Sequence, residues 1–504
     1  MHIAIRVDAL DQMGSGHLMR CLTLADAARA EGAMVRFVSR FLPPHLSELV
    51  RAHGHELVVL PAPAVAPSGA TYAEWLGVPV IEDARDTVAA LADRGWDWIV
   101  ADHYAFDAVW ETAVRQAATR VMAIDDLADR SHDCDMLLDQ NYYSDMAVRY
   151  RDRVPSRCTQ LLGPRYTLLR AEFAAHRATS TPRIGPVRRV LVFFGGIDAD
   201  NQTAIAVAAL GRAALPGVEV DVVIGASHPD GDGIAAACAR AGFHCHVQPA
   251  TFSALMAAAD LAVGAGGGGL WERCCLGVPA LVWAVADNQR RQVADAARQG
   301  WVYAPDLSAN GDRRAWLECH VRALVDNSAG RAAMSEAAMA AVDGGGAPRV
   351  VRELAGAGLE VRLATAADSA DLFAWRNDPS VRQASRHSSP IDWTRHAQWL
   401  ASVLAAPDRA LLIGHQQGQP RGVVRFDIAA DEAEVSIYLV PGRPSAGTGG
   451  RLLRVAEQWL AAHRPDVRRY RAHVLGDNVP SHRLFAGAGY DREATWYSKQ
   501  VTLP

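Results

Sequence analysis

Along the first 360 positions the hydrophobic residues fall into short continuous runs separated by amphipathic stretches. The runs at 2–7, 34–38, 57–60, 98–101 and 121–124 lack the alternation of a half-exposed strand. They predict buried strands of a parallel sheet covered on both faces. After the first run, residues 16–30 place Leu18, Cys21, Leu22, Ala25 and Ala28 on one face, which predicts a helix ended at Gly32. Near 178–186 the text becomes Ser-Thr-Pro-Arg-Ile-Gly-Pro and reads as a linker. Alternation restarts with runs at 189–194, 219–224, 244–248, 261–264 and 280–283. The expectation is α/β: two doubly wound Rossmann-like domains, residues 1–178 and 186–355, with a cleft between them.

A second break lies at Asp343-Gly-Gly-Gly-Ala-Pro, and from residue 360 the pattern changes. One strand is followed by helices at 366–376 and 391–405. Strands at 410–414, 421–428 and 433–440 come without intervening helices. A helix at 448–462, a strand at 468–475, a helix at 479–487 and a strand at 493–501 complete a mixed α+β domain over 360–504.

The length of 504 residues fits about three domains. The net charge of -5 argues against a nucleic-acid binder or a polybasic membrane binder. No apolar run approaches the roughly 18 residues of a bilayer span. Of 51 basic residues Lys499 is the one lysine, which excludes a Walker A loop and a Schiff-base lysine for pyridoxal phosphate. None of the eight cysteines sits in a C-x-x-C pair, so a reduced, cytoplasmic protein with thiols in its cores is expected. The sequence shows no metal-ligand cluster and assigns no oligomeric state.

Two loops carry candidate chemistry. Asp8 to Arg20 links the first strand to the first helix, at the sheet edge where ligands bind in doubly wound folds. Gly14 and Gly16 permit close backbone approach. His17, in the first helical turn, is the side chain best suited to take a proton from water near neutral pH. The second loop, Gly264-Ala-Gly-Gly-Gly-Gly-Leu-Trp-Glu-Arg, follows a strand and opens a helix. Four consecutive glycines cost chain entropy and make sense if a diphosphate lies against the backbone amides. Glu272 is placed to accept from ribose hydroxyls or, alternatively, to complement the helix dipole. Asn288 and Gln289 close the next strand at the same edge. A third loop, Gly195 to Asn201, reads equally well as an ordinary turn with an Asx cap. Asp125, Asp126 and Asp139 are polar loop candidates, and Arg165, Tyr166 and Arg170 are candidates for the cleft border.

The segments Gly14-Ser-Gly-His-Leu-Met-Arg-Cys, Ile124-Asp-Asp-Leu-Ala-Asp-Arg, Asp139-Gln-Asn-Tyr, Gly163-Pro-Arg-Tyr-Thr-Leu-Leu-Arg, Trp271-Glu-Arg-Cys-Cys-Leu-Gly-Val-Pro and Ala286-Asp-Asn-Gln span both expected domains. Together, residues 1 to about 355 resemble the UDP-sugar hydrolases of pseudaminic acid synthesis. These remove UDP from UDP-2,4-diacetamido-2,4,6-trideoxy-β-L-altropyranose and look like GT-B glycosyltransferases. The resemblance implies His17 as general base and an N-terminal domain that holds the sugar. It implies nucleotide contacts from Glu272 and Asn288. From their place in the two loops, Asp8, Gly14, Gly16, Gly266, Gly267, Gly268 and Gln289 are also expected to contact UDP or the sugar, and with no metal-ligand cluster in the sequence no metal is expected.

In the last domain the strand at 433–440 runs into Pro441-Gly-Arg-Pro-Ser-Ala-Gly-Thr-Gly-Gly-Arg and a helix, an anion nest of the same kind. With Asn478-Val-Pro-Ser-His-Arg-Leu-Phe-Ala-Gly-Ala-Gly-Tyr it resembles the GCN5-related N-acetyltransferases (GNAT). That implies acetyl-CoA bound by Leu439, Val440, Gly447, Gly449, Gly450 and Asn478. Pro444 stands where the family turn usually has Arg or Gln. Phe485 stands where many members have a tyrosine that protonates the thiolate, leaving Tyr490 and Tyr497 as substitutes or as core residues. Glu434 is a candidate base or an exposed strand acid. Trp375, Trp393 and Trp399 read as helix-face packing, and His396 has no clear role.

The resemblances imply a bifunctional enzyme of one UDP-linked amino sugar: acetylation of its 4-amino group, then hydrolysis to free sugar and UDP. Two other readings stand beside it, a GT-B transferase passing the sugar to an acceptor, and a C-terminal domain that binds acyl-CoA without catalysis or with another specificity.

Overall fold

The structure, a computed structural model, describes residues 1–10, 14–63, 71–306, 312–356, 359–385, 388–416, 418–442, 448–476, 478–493 and 496–500. The chain forms two compact units, Met1–Val351 and Arg352–Pro504.

The first unit holds two parallel sheets. The first comprises β1 (His2–Val7), β2 (Met34–Ser39), β3 (Glu56–Val59), β4 (Trp96–Asp102), β5 (Ala118–Ile124), β6 (Met136–Asp139) and β7 (Thr159–Leu162). Their order is β3-β2-β1-β4-β5-β6-β7. Ile3, Ala4, Ile5 and Val7 of β1 are fully buried, because helices cover both faces. The buried exception in that strand is Arg6, which pairs with Asp8 at 2.7 Å and Asp83 at 2.6 Å. The helix Gly16–Ala30 ends in a Schellman motif: Gly32, at φ +80°, donates to Arg29 and Ala33 donates to Ala28.

The second sheet comprises β8 (Arg189–Phe193), β9 (Glu219–Ile224), β10 (His244–Val247), β11 (Leu261–Ala265) and β12 (Ala280–Trp283), in the order β10-β9-β8-β11-β12. Both sheets therefore reverse direction of winding at one point, between β1 and β4 and between β8 and β11. Such a reversal opens a crevice at the carboxyl ends of the strands. The halves share packing: Leu169 and the helix residue Phe173 lie in one buried cluster with Leu270, Trp271 and Cys274. Later in the chain, Gly346 begins a helix so close to the Thr167 backbone that a side chain there would overlap it.

The second unit is built on β13 (Leu359–Leu363), β14 (Arg409–Gln416), β15 (Gln419–Ala429), β16 (Glu432–Leu439), β17 (Arg469–His473), β18 (Asp491–Glu493) and β19 (Trp496–Gln500). The order is β13-β14-β15-β16-β17-β19-β18. All pairings are antiparallel except β16 with β17, which pair over Glu432–Glu434 alone. Beyond Glu434 no ladder continues between them among the described residues. The helix Thr448–His463 buries Leu452, Leu453, Ala456 and Leu460 on one face of this sheet. The other face receives Leu372 and Leu400 from the helices Ser369–Asn377 and Trp393–Ala405.

Gly264, near the end of β11, faces β8 across the winding reversal. A Cβ there would overlap the Phe193 carbonyl oxygen, so an added methyl forces the central strands of the second sheet apart. Gly264→Ala is expected to cost about 2 kcal/mol or more of unfolding free energy, read as a lower urea midpoint at unchanged slope. An unchanged midpoint would contradict this packing.

Candidate active site in the cleft of the first unit

The loop after β1 turns through Gly14, at φ +70° with its N–H bonded to the Leu10 carbonyl, and delivers His17 to the first helical turn. The neighbouring strand β4 ends in Asp102, in register with Val7 of β1. The fully buried Asp102 carboxylate lies 2.6 Å from His17 Nδ1. It also accepts from Arg20 Nε at 2.7 Å, from Arg20 Nη2 at 2.6 Å and from the Cys21 thiol at 3.3 Å. Burial alone would raise this carboxyl group, but the Arg20 guanidinium and His17 outweigh it and hold Asp102 well below the usual carboxylate range. An ionised carboxylate only accepts, so at this distance Nδ1 carries the proton. Arg20 Nη2, 3.0 Å from Nδ1, is then a neighbour that donates to Asp102. With the proton on Nδ1, the nitrogen of the ring left to accept is Nε2, which has no hydrogen-bond partner among the described residues. Tyr104 packs its ring at right angles to the imidazole, 4.7 Å between centroids.

Across the cleft, the turn after β11 passes through Gly267, at φ +73°, into the helix Gly268–Leu276. Gly267, Gly268 and Gly269 line the same cavity as Gly16 and His17, with Glu272, Asn288 and Gln289 beside them. The cavity measures ≈ 340 Å³. Burial raises the Glu272 carboxyl group above its ordinary value, opposed by Arg170, whose Nη2 lies 3.5 Å away. Asn141, from the loop after β6, accepts from Trp271 Nε1 at 2.9 Å and from Gln292 Nε2 at 3.0 Å. This amide fastens the first half to the helix that carries Glu272.

Three expected residues are placed elsewhere. Asp8 is fully buried away from the cavity, where it pairs with Arg6 and accepts from the Arg40 and Phe41 backbones. Gly14 shapes the loop without lining the cavity. Gly266 also does not line it: a Cβ there would meet Val293 at 2.7 Å, so this glycine serves close packing. In the third loop Asp198 accepts from the Gln202 and Thr203 backbones, the ordinary capped turn. Arg165 and Tyr166 are not among the lining residues, whereas Arg170 and Asp126 are.

Sequence reasoning passed over Asp102, Arg20, Tyr104 and Asn141. An acid closing an otherwise apolar strand beside the winding reversal was the available signal for Asp102. Arg20 and Asn141 lay inside quoted motifs without a role, and Tyr104 gave none.

In the second unit the edge of β16 from Val435 to Leu439 has no ladder partner on the β17 side among the described residues. Unpaired strand backbone of this kind fits the amides of a pantetheine chain, so Leu439 and Val440 fit acetyl-CoA, although the Val440 N–H itself bonds to Arg421. Gly449 packs closely, since a Cβ there would meet Leu484 at 2.7 Å, and Gly450 is open. Gly447 lies outside the described residues. Asn478 caps the helix Val479–Gly487, accepting from Ser481 at 3.1 Å. Tyr490 and Tyr497 are core residues: Tyr490 donates to Glu457 at 2.6 Å, and the Tyr497 hydroxyl lies 2.7 Å from His482 Nδ1. His396 is buried among Phe373, Trp393 and Trp399. Glu434 lines a charged hollow with Arg409, Asp427 and Arg471. Among the described residues no group of three or more His, Cys, Asp or Glu side chains is placed to hold a metal ion. No helix among them is long and apolar enough to cross a membrane.

Fold and site together define an α/β protein in which two Rossmann-like halves face each other across a cleft in a GT-B-like manner, followed by an α+β unit. Residues 359–491 match the acetyltransferase (GNAT) domain family, so the chain carries a GNAT acetyltransferase domain at its C-terminus. A comparison with curated proteins finds no match. Among solved structures, the chain is similar to aminoglycoside acetyltransferase AAC(6')-Ib in complex with coenzyme A, at 20% identity over 28% of this chain and 94% of that one, TM-score 0.26. It is similar to an acetyltransferase of the GNAT family from Streptococcus pneumoniae, at 18% identity over 29% and 99%, TM-score 0.26. It is also similar to MurG of Acinetobacter baumannii, at 16% identity over 70% and 99%, TM-score 0.47.

One acid behind the cleft has an altered proton affinity. Burial, with Asp126 adding to it against Arg149, pushes the Asp139 carboxyl group up to about 7. The folded chain then keeps a proton between about pH 4 and pH 7 that the unfolded chain releases, so this contribution to stability falls as pH rises through that window. Relative to Asp139→Asn, the wild-type urea midpoint is expected to drop between about pH 4 and pH 7. A pH-independent difference would contradict the assignment.

Proposed function

We propose that the chain acts twice on one UDP-linked amino sugar. The C-terminal GNAT domain acetylates the 4-amino group of UDP-4-amino-4,6-dideoxy-N-acetyl-β-L-altrosamine. The cleft of the first unit then hydrolyses UDP-2,4-diacetamido-2,4,6-trideoxy-β-L-altropyranose to the free sugar and UDP. The observation that carries the reading is the His17–Asp102 pair facing the glycine turn and Glu272 across one cavity.

In this reading His17 Nε2 takes a proton from a water whose oxygen attacks the anomeric carbon. The bond from that carbon to the UDP oxygen breaks, and the electron pair leaves with UDP. Asp102 fixes the Nδ1–H tautomer and stabilises the imidazolium that forms. Charge on the departing diphosphate is met by the N–H groups at the start of the helix Gly268–Leu276. UDP is already a good leaving group, so one base suffices where cleavage of a sugar–sugar bond needs two carboxyl groups. Attack opposite UDP gives inversion. Glu272 accepts from the ribose hydroxyls, with Asn288 and Gln289 at the same edge. In the GNAT domain acetyl-CoA supplies the acetyl group when bound, held along β16 and by the first turn of the helix Thr448–His463, which carries Gly449 and Gly450. No side chain is assigned to protonate the thiolate.

Mass spectrometry of products from the UDP-amino sugar, with and without acetyl-CoA, tests both halves. The expected products are free diacetamido sugar, UDP and CoA with no added acceptor. Appearance of sugar only with an acceptor would make the first unit a transferase, and absence of CoA release would make the GNAT domain non-catalytic. His17→Asn is expected to cut UDP release by about 10³-fold while UDP affinity by calorimetry stays nearly unchanged. Wild-type turnover in that variant would remove His17 from the role. Glu272→Ala is expected to weaken UDP binding about tenfold or more and to leave acetyl transfer intact; unchanged UDP affinity would take Glu272 out of the site.

A further inference from the structure

Buried arginines in the first unit show how a guanidinium is normally compensated. Arg6 lies between Asp8 and Asp83, and Arg331 donates to the carbonyls of Leu324, Val325 and Gly185. Arg273 is just as deeply buried, at 2% exposure, and has neither arrangement. Among the described residues its one hydrogen bond runs from Nη2 to the Ala265 carbonyl, its Nε has no partner, and no carboxylate stands within ion-pair distance. A charge taken out of water with so little in exchange is costly unless something else compensates it.

The position of the group indicates what does. Arg273 Nη1 lies 3.0 Å from where a Cβ on Gly264 would sit and 3.5 Å from the corresponding point on Gly269. Gly269 lines the cavity, so the guanidinium stands directly behind the glycine turn. The N-terminus of the nine-residue helix Gly268–Leu276 lies at the same place, and two sources of positive potential add there. Glu272, the acid beside it in the chain, is itself engaged by Arg170. Burial lowers Arg273 to about 10, which leaves it charged at neutral pH.

We propose that Arg273 is the buried counter-charge of the anion held on the glycine turn, and that it sets the preference of the cavity for a diphosphate over a monophosphate or a neutral nucleoside. This rests on the reading of the cavity as a nucleoside-diphosphate site. Arg273 touches no substrate atom; it acts through the turn, by its field and by its hold on the Ala265 carbonyl, and is a specificity-determining positioning residue.

Calorimetric titration of the full chain with UDP, UMP and uridine tests this, using Arg273→Gln, which keeps a donor and loses the charge, and Arg273→Lys, which keeps the charge. The wild type is expected to bind UDP more tightly than UMP, and UMP more tightly than uridine. In Arg273→Gln the UDP-over-uridine ratio is expected to fall about tenfold or more with uridine affinity unchanged, while Arg273→Lys retains most of the ratio. An unchanged ratio in Arg273→Gln, or a ratio lost equally in both variants, overturns the proposal and leaves the nucleotide site standing. A wild type that binds none of the three overturns both. Should one variant not fold by circular dichroism, the other decides: loss of the ratio in Arg273→Lys, or its persistence in Arg273→Gln, sinks the counter-charge.

Discussion

The cleft depends on one carboxylate that never meets solvent. Asp102 ends β4 beside β1, and the order of the first sheet puts this end where the winding reverses. An ionised acid in that position would be expensive alone. It is stabilised because Arg20 grips both its oxygens and His17 donates to one of them. The same contacts fix the imidazole's tautomer and orientation, so that stabilising the buried charge and preparing the base are a single arrangement. The helix Gly16–Ala30 can supply both partners because positions three apart share a face.

The second half answers with backbone where the first uses side chains. Gly267 allows the turn, and Gly268 and Gly269 open the helix and line the cavity with backbone. Asn141 ties the halves by accepting from Trp271 and Gln292, so the distance across the cleft is set by buried polar bonds as well as by apolar packing. A buried amide whose oxygen serves two donors is a demanding contact, since losing either partner leaves a polar group unsatisfied. The helix bearing Glu272 is therefore positioned from both sides, by the glycine turn at its start and by Asn141 against its side.

Both windings were legible because buried parallel strands write themselves as continuous Val, Ile and Leu runs; the runs at 219–224 and 280–283 coincide with β9 and β12, whereas the order of the strands, and with it the points of reversal, is set by pairing between distant segments. The strands β6 and β7 escaped because four residues flanked by polar loops give too little periodicity to separate from a loop. The expected final strand at 493–501 is two short strands, β18 and β19. Among site candidates, the meeting of His17 and Glu272 at one cavity was legible from position: each sits where a loop at the sheet edge enters a helix. Asp8 misled for the same reason. It occupies the loop that ligands use, yet its partner is Arg6, two residues back on the strand, and pairing across a fold is invisible to local pattern. Gly266 belongs to a run whose members look alike in sequence but divide in space, one against Val293 and three toward the cavity.

The near absence of lysine also takes on structural meaning. Arg20 uses Nε and Nη2 on Asp102 and reaches Asp126 with Nη1 at 3.1 Å, three directed bonds from one planar group. Arg6 and Arg40 both engage the single carboxylate of Asp83, which also accepts from Trp110. A lysine ammonium delivers its charge from a point and could not span two acids in this geometry. Whatever favoured arginine across the chain, the buried networks of the first unit have come to need its fork. Substituting lysine at Arg20 would keep the charge and lose the bridge, which separates the two things that hold Asp102 ionised: compensation of its charge and occupation of both its oxygens.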